Sequence, residues 1–293
     1  MGDGGTGNLR YALRRAAQGI LEKGESGWQL EDLHLSAYAM VVQEQGALLH
    51  GGLHEVVTDH PVNKVRPGIL ASTHDTFLRT PDQAWNDHRT RVNRIRDIVR
   101  HLEHVHESRY RVCSVHKLGV PLFRDEVARH GDMQPKLQEC RLQTMSRDRE
   151  GEMVDKLSVK NACQMLGKLG VNSRSVYEED FERPFLAESA IFCALESQKQ
   201  LVEMSATDYI DMAEQRINEE TRRAKLNLDP STERLIQEVV YQELVASRLN
   251  AIVEKEDSGV VALLKNHDEF VVKEIITVDI ENILSLLSTV SVI

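Results

Sequence analysis

Apolar residues recur at steps of three and four through most of this chain, and that period suits helices and little else. Leu30, Leu33, Ala37, Tyr38 and Val41 follow it, as do Ile95, Ile98, Leu102 and Val105, then Ile210, Ala213 and Ile217, then Leu249, Ile252 and Val253. Each set falls on one face of an amphipathic helix. Helix starts agree with the period. Thr80-Pro81-Asp82-Gln83 offers a capping hydroxyl, a proline at the first helical position and Gln83 as the reciprocal partner. Ser205-Ala206-Thr207-Asp208 and Asp229-Pro230 read as two further starts. Breaks are expected at residues 23–27, at His60-Pro61, at Arg66-Pro67-Gly68, near Gly131 and at residues 170–173. Helices of roughly 12 to 25 residues joined by short polar turns predict an all-α bundle or stacked bundles. No short fixed-period repeat is visible, which argues against tetratricopeptide or ankyrin arrays.

The C-terminal segment departs from this pattern. Phe270 to Val278 is β-branched and fits a strand better than a helix. Ser291-Val292-Ile293 has the form of a C-terminal peptide that joins a PDZ domain by strand addition, or it is a loosely docked tail.

Composition narrows the class. Against 36 Lys and Arg stand 46 Asp and Glu, a net charge of −10 over 293 residues. A general nucleic-acid binder needs the opposite sign, because phosphate contacts dominate such affinity. The length suggests about two domains. Cys113, Cys140, Cys163 and Cys193 are far apart and form no CxxC pair. Scattered thiols of this kind point to a reducing compartment and small core residues. The longest uncharged apolar stretch is residues 282–293, a run of 12. A membrane span needs about 18 or more. Residues 1–7 lack the apolar run of a signal peptide. The expectation is a protein of the cytoplasm or nucleus with no membrane and no nucleic-acid partner.

Motifs that carry chemistry are sparse. Gly2-Asp3-Gly4-Gly5-Thr6-Gly7 has the letters of a dinucleotide fingerprint, but that motif needs a strand before it and only Met1 precedes. His101-Leu102-Glu103-His104-Val105-His106 is the densest histidine cluster, and His101 and His104 share a helix face as two metal ligands would. No third ligand stands at a motif-fixed spacing, so imidazoles on a solvated face are the plainer reading. Glu178-Glu179-Asp180 pairs carboxylates between Tyr177 and Phe181. Acid–base work is one use of such a pair, and a charged turn between apolar anchors is the other. These residues predict an interaction scaffold with no cofactor and no metal, rather than an enzyme.

Longer segments carry a resemblance. Ala84-Trp85-Asn86-Asp87-His88, Phe123-Arg124-Asp125, Asn161-Ala162-Cys163-Gln164-Met165-Leu166 and the run from Arg174 to Glu182 match in register. Pro184-Phe185-Leu186, Glu196-Ser197-Gln198-Lys199, Arg216-Ile217-Asn218-Glu219-Glu220 and Glu254 to Asn266 follow. From about Leu9 to Asn266 the chain resembles the N-terminal half of the cullins, of the cullin-3 kind. The resemblance implies stacked cullin repeats, each a five-helix bundle, in an elongated all-α stalk. It implies a flexible N-terminus at 1–8, a first repeat at 9–141, a second at 142–250, the start of a third at 251–266 and a divergent tail at 267–293.

The family's function comes with the resemblance. It implies a non-catalytic scaffold of a cullin–RING ubiquitin ligase, whose first repeat binds BTB-domain substrate adaptors in ubiquitin-dependent degradation. The family's RING-binding and modified domain lies beyond the region matched, so no RING protein is expected on this chain, which would act as a decoy. The family's adaptor face maps here onto Leu30, Glu31, His34, Leu35 and Tyr38, with His101 on a later helix. Tyr38 and Glu31 agree with the family pattern. The family has phenylalanine at Leu30, tyrosine at His34 and His101, and arginine at Leu35. Pro61, Pro67 and Pro121 replace non-proline residues in helical segments, and Pro61 is expected to kink its helix. Two other readings stand beside this one. One is a metal-dependent hydrolase built on His101 and His104, and the other is a truncated copy without function.

Overall fold

The computed structural model describes the backbone of residues 3–73, 76–110 and 115–255, and side chains within residues 7–73, 76–99 and 119–255. Among the described residues the secondary structure is helix and turn, with no strand. The strand expected at Phe270 to Val278 and the tail at Ser291 to Ile293 lie outside them, as does Cys113. No helix among them is long and apolar enough to cross a membrane. Two compact units divide the chain, one up to Arg183 and one from Pro184. Helix α7 runs unbroken through the 141/142 limit that the resemblance implies.

The first unit begins with α1 (Asp3–Lys23), α2 (Leu30–Val42) and α3 (Gly46–His60). A five-residue π-turn (Pro61–Val65) leads into the short α4 (Arg66–Leu70), then the long α5 (Arg79–Tyr110). After α6 (Val115–Phe123) a second π-turn (Arg124–Ala128) precedes α7 (Met133–Arg149), α8 (Lys156–Leu169) and the single turn α9 (Ser175–Tyr177). A third π-turn (Glu178–Glu182) closes the unit. The second unit holds α10 (Arg183–Glu203, from its second residue), α11 (Ala206–Asn227), α12 (Pro230–Leu244) and α13 (Leu249–Val253).

Several local expectations change. Residues 3–8, expected to be flexible, are the opening of α1. Once Leu13, Ala16, Ala17, Ile20 and Leu21 bury the helix, each earlier residue adds a hydrogen bond at little further cost. Pro61 does not break α3. The π-turn it opens shifts hydrogen bonding by one residue, and the Arg66 N–H reaches the Pro61 carbonyl. Proline lacks its own N–H, and the wider turn makes room for its ring. Pro67 sits in the first turn of α4, where no donor is missed. Pro121 lies inside α6. Thr80 does not cap α5, which starts at Arg79, and its hydroxyl donates instead to the Thr76 carbonyl at 2.9 Å. The caps at Ser205 and Asp229 form as the spacing predicts. Each accepts a backbone N–H, from Asp208 and Ser231 respectively, at 3.1 Å.

One apolar core joins α1, α2, α3 and α5. It gathers Leu13, Ala16, Ile20, Leu33, Ala37, Met40, Leu49, Leu53, Val56, Val92, Ile95 and Ile98. Alanines 16 and 17 let α1 approach α3 closely. At the other end of α5, Trp85 packs edge-on against Phe123 with ring centroids 5.2 Å apart. Val92 faces Gly119, where a Cβ would come within 3.0 Å of the valine, so α5 and α6 touch nearly backbone to side chain.

The acidic triplet is structural. Asp180 is buried and accepts Arg129 Nε at 2.8 Å, Arg129 Nη2 at 2.9 Å and Gln134 Nε2 at 2.6 Å. Arg174 holds Glu178 at 3.2 Å and Glu182 at 2.9 Å. These carboxylates tie the second and third π-turns and α7 together. Glu179 also pairs with Arg129, at 2.9 Å, so every member of the triplet is tied to an arginine.

His60, at the end of α3, stacks on His88 of α5 with centroids 6.5 Å apart and planes 10° from parallel. His88 Nε2 lies 3.0 Å from the Gly119 carbonyl. A carbonyl only accepts, so Nε2 carries the proton and Nδ1 is a bare lone pair. His60 bonds the Leu21 carbonyl. Nδ1 of both rings has no partner among the described residues. Burial pushes His88 down to about 4, and burial with nearby Arg91 does the same to His60.

Both rings therefore bind protons more weakly folded than unfolded, where the value is 6.5. Their contribution to stability is complete above about pH 6.5 and is lost as pH falls toward 4, with uptake of up to about two protons. Urea-unfolding midpoints should hold level near neutrality and drop between pH 6 and 4. His88→Gln keeps a donor for Gly119 and should flatten that drop, and a slope unchanged in the variant would show that the pair does not cause it.

Candidate functional site

The candidate site is the outward side of α2. Two glycines shape the turn that leads into it. Gly24 and Gly27 sit at φ 79° and 70°, which other residues rarely adopt. Arg94 of α5 donates to the Gly24 carbonyl and pins the turn. Ser26 donates to the Trp28 carbonyl at 2.7 Å and accepts its N–H at 3.1 Å. Helix α2 then starts at Leu30 with Glu31 and Asp32 in its first turn, where the macrodipole favours acids.

Burial divides α2 sharply. Leu33, Ala37 and Met40 are at most 3% exposed and lock the helix to the core, with Val41 partly buried beside them. Leu30 is 52%, Leu35 67% and Tyr38 59% exposed. Glu31 is exposed and His34 half-buried. Five of the six expected residues thus lie on α2. The sixth, His101, belongs to α5, and its side chain lies outside the described residues together with those of His104 and His106.

The structure adds residues that the spacing from Leu30 missed. Val42 is 63% exposed and Trp28 50%. Glu31, Leu35, Tyr38 and Val42 stand at steps of four, three and four, so they form a seam along the solvent side of α2. Leu30 lies nearer the edge of that seam. A count starting at Glu31 instead of Leu30 was the available signal. Beside the seam, a cleft of about 590 Å³ lies between the turn and α5, lined by Ile20, Trp28, Leu30, Arg94, Asp97 and Ile98.

Chemically this surface is suited to docking. It combines large apolar side chains with one carboxylate and one phenol, and a helix held rigid from behind. Aromatic and aliphatic anchors on a fixed helix are what partner recognition uses. Among the described residues, no group of three or more His, Cys, Asp or Glu side chains is placed to hold a metal ion. Cys163 and Cys193 are buried and Cys140 is half-buried, and none of the three is in a disulfide. Burial pushes the Cys140 thiol up, away from the reactive thiolate.

A family model described as the cullin alpha solenoid domain matches residues 11–292. Cullin-3 of Dictyostelium discoideum is 33% identical over 254 residues, covering 87% of this chain and 33% of that protein. Cullin-3 of Caenorhabditis elegans is 33% identical over 257 residues, again 87% of this chain and 33% of the relative. Cullin-like protein 3 of Arabidopsis thaliana is 27% identical over 209 residues, 71% of this chain and 81% of its own length. The chain spans about a third of the length of the two cullin-3 relatives.

The division of α2 generates a stability contrast. Leu33→Ala empties a packed position and should cost about 2–5 kcal/mol. Leu35→Ala removes an exposed side chain and should stay within about 0.5 kcal/mol of the parent. Thermal unfolding of the two variants reads the difference directly, and equal losses would mean that the outward seam is not outward.

Proposed function

Since the chain belongs to the cullin family, we propose that it is a non-catalytic scaffold segment of a cullin–RING ubiquitin ligase and docks BTB-domain substrate adaptors on α2. The observation that carries this reading is the split of α2 between a buried face and an exposed seam. Leu33, Ala37 and Met40 hold the helix, which frees Leu30, Leu35, Tyr38 and Val42 for a partner. The cullin-3 relatives supply the kind of ligase, and the resemblance supplies the adaptor class. Glu31, His34 and His101 belong to the proposed face with them. The repeat limits 9–141, 142–250 and 251–266 are part of the same proposal.

A scaffold needs rigidity and complementarity rather than an activated nucleophile. The arginine-held carboxylates around Asp180 and the buried thiols suit that role. Tyr38 is the strongest anchor available, because its ring offers large apolar area and its hydroxyl can find a partner at the interface edge. Leu30 and Leu35 flank it with apolar surface. The family's larger side chains at Leu30, His34 and His101 are reduced here, so adaptor affinity is expected to lie below that of a chain keeping them.

Purified chain should capture members of a BTB-adaptor panel in a pull-down. Tyr38→Ala should weaken capture by at least about 2 kcal/mol, the size of a hot spot. Calorimetry with the captured adaptor measures it. Binding of Tyr38→Ala at the parent's strength would remove α2 from the interface, and no capture by any adaptor would remove the adaptor reading itself.

A further inference from the structure

Helix α10 carries a second exposed apolar stripe, opposite its buried face. Phe185, Ser189, Cys193 and Ser197 are buried at intervals of four. Around the helix from them, Ile191 is 63%, Leu195 64% and Val202 82% exposed, and Ala187 and Gln198 are exposed as well. At 3.6 residues per turn these five positions share an arc of about 80°. Three large aliphatic side chains on one exposed stripe mark an association surface more often than a random scatter does.

The charges beside the stripe say what fits it. Glu188 and Lys199 flank it on the same side, one near each end of α10. Among the described residues neither makes an ion pair, whereas nearby Glu196 is engaged by Arg216 at 2.9 Å. An acid toward the N-terminal end and a base toward the C-terminal end of one flank complement the same flank run in the opposite direction. That is the requirement of a twofold pair, in which residue i meets j and j meets i.

We propose that α10 is a self-association surface, on which the helix of a second copy packs antiparallel. With the twofold axis at the level of residue 193, Ile191 of one copy lies on Leu195 of the other. Glu188 of each copy then stands beside Lys199 of its mate, giving two reciprocal ion pairs. Half-buried Ala190 and Ala194 lie on the other flank, where their small side chains permit close approach. One helix per copy buries less than the roughly 800 Å² per partner of a standard interface, so the dimer is weak. This surface is separate from the α2 seam, and the proposal does not depend on adaptor binding.

Sedimentation velocity of the full chain across a concentration series tests it. The expected result is a monomer–dimer equilibrium in the micromolar range. Leu195→Glu should weaken the dimer at least about tenfold while leaving the circular-dichroism spectrum unchanged. Glu188→Lys alone and Lys199→Glu alone should each weaken it by about fivefold, the size that two exposed ion pairs carry. The double reversal, Glu188→Lys with Lys199→Glu, should restore it. A monomer at every concentration would overturn the proposal. A dimer insensitive to Leu195→Glu, or a double reversal no stronger than the single ones, would overturn it too.

Discussion

Burial along α5 is the constraint on which the first unit depends. Its middle supplies Val92, Ile95, Ile98 and Val99 to the core shared with α1, α2 and α3. Its N-terminal part supplies Trp85 and His88 to the contact with α6. Arg91 and Arg94 on the same helix donate to the Leu21 and Gly24 carbonyls at the end of α1. These bonds satisfy terminal carbonyls that no residue of α1 can reach. One helix thus supports the core, the aromatic contact and the turn that sets the start of α2. The outward seam of α2 is placed by what α5 buries behind it.

Polar groups do a narrower job in this fold. Asp180 receives three side-chain hydrogen bonds and is nearly sealed from solvent. A buried carboxylate is tolerated when its lone pairs are satisfied, and here the partners arrive from two different segments. In the second unit, the Tyr209 hydroxyl donates to the Leu244 carbonyl at 2.7 Å and meets Ser197 at 2.8 Å. Arg248 Nε donates to the same serine at 3.0 Å. Such networks add little net stability, but they allow only one arrangement of helices, because any other leaves buried donors unpaired.

Helices α2 and α10 share a design. Each buries one face, α2 at steps of four and three and α10 at steps of four, and leaves an apolar stripe on the other. A helix that only served the core would carry charge on its solvent side. On α2 the stripe is accompanied by a carboxylate and a phenol, and on α10 by an acid and a base on one flank. The difference in accompanying charge is the ground on which one stripe is proposed for a foreign partner and the other for a second copy.

Much of this was legible in the sequence. Period and caps were enough for the helical class and for the starts of α11 and α12. Local patterns suffice there because helix formation and capping are decided within a few residues. The long matched segments carried the family. Other features were settled only by tertiary packing. Pro61 and Pro67 read as breaks, yet burial of α3 and Ile69 keeps the chain helical by way of a π-turn. Leu30 and Tyr38 read as members of the same set as Leu33 and Ala37, and the packing of α1, α3 and α5 against α2 separates exposed from buried among them. The roles of Asp180 and His88 likewise depend on Gln134, Arg129 and Gly119, which lie 31 to 51 residues away. A period of 3.6 says that two faces exist, but which face is covered depends on the neighbours, and those are chosen by the whole chain at once.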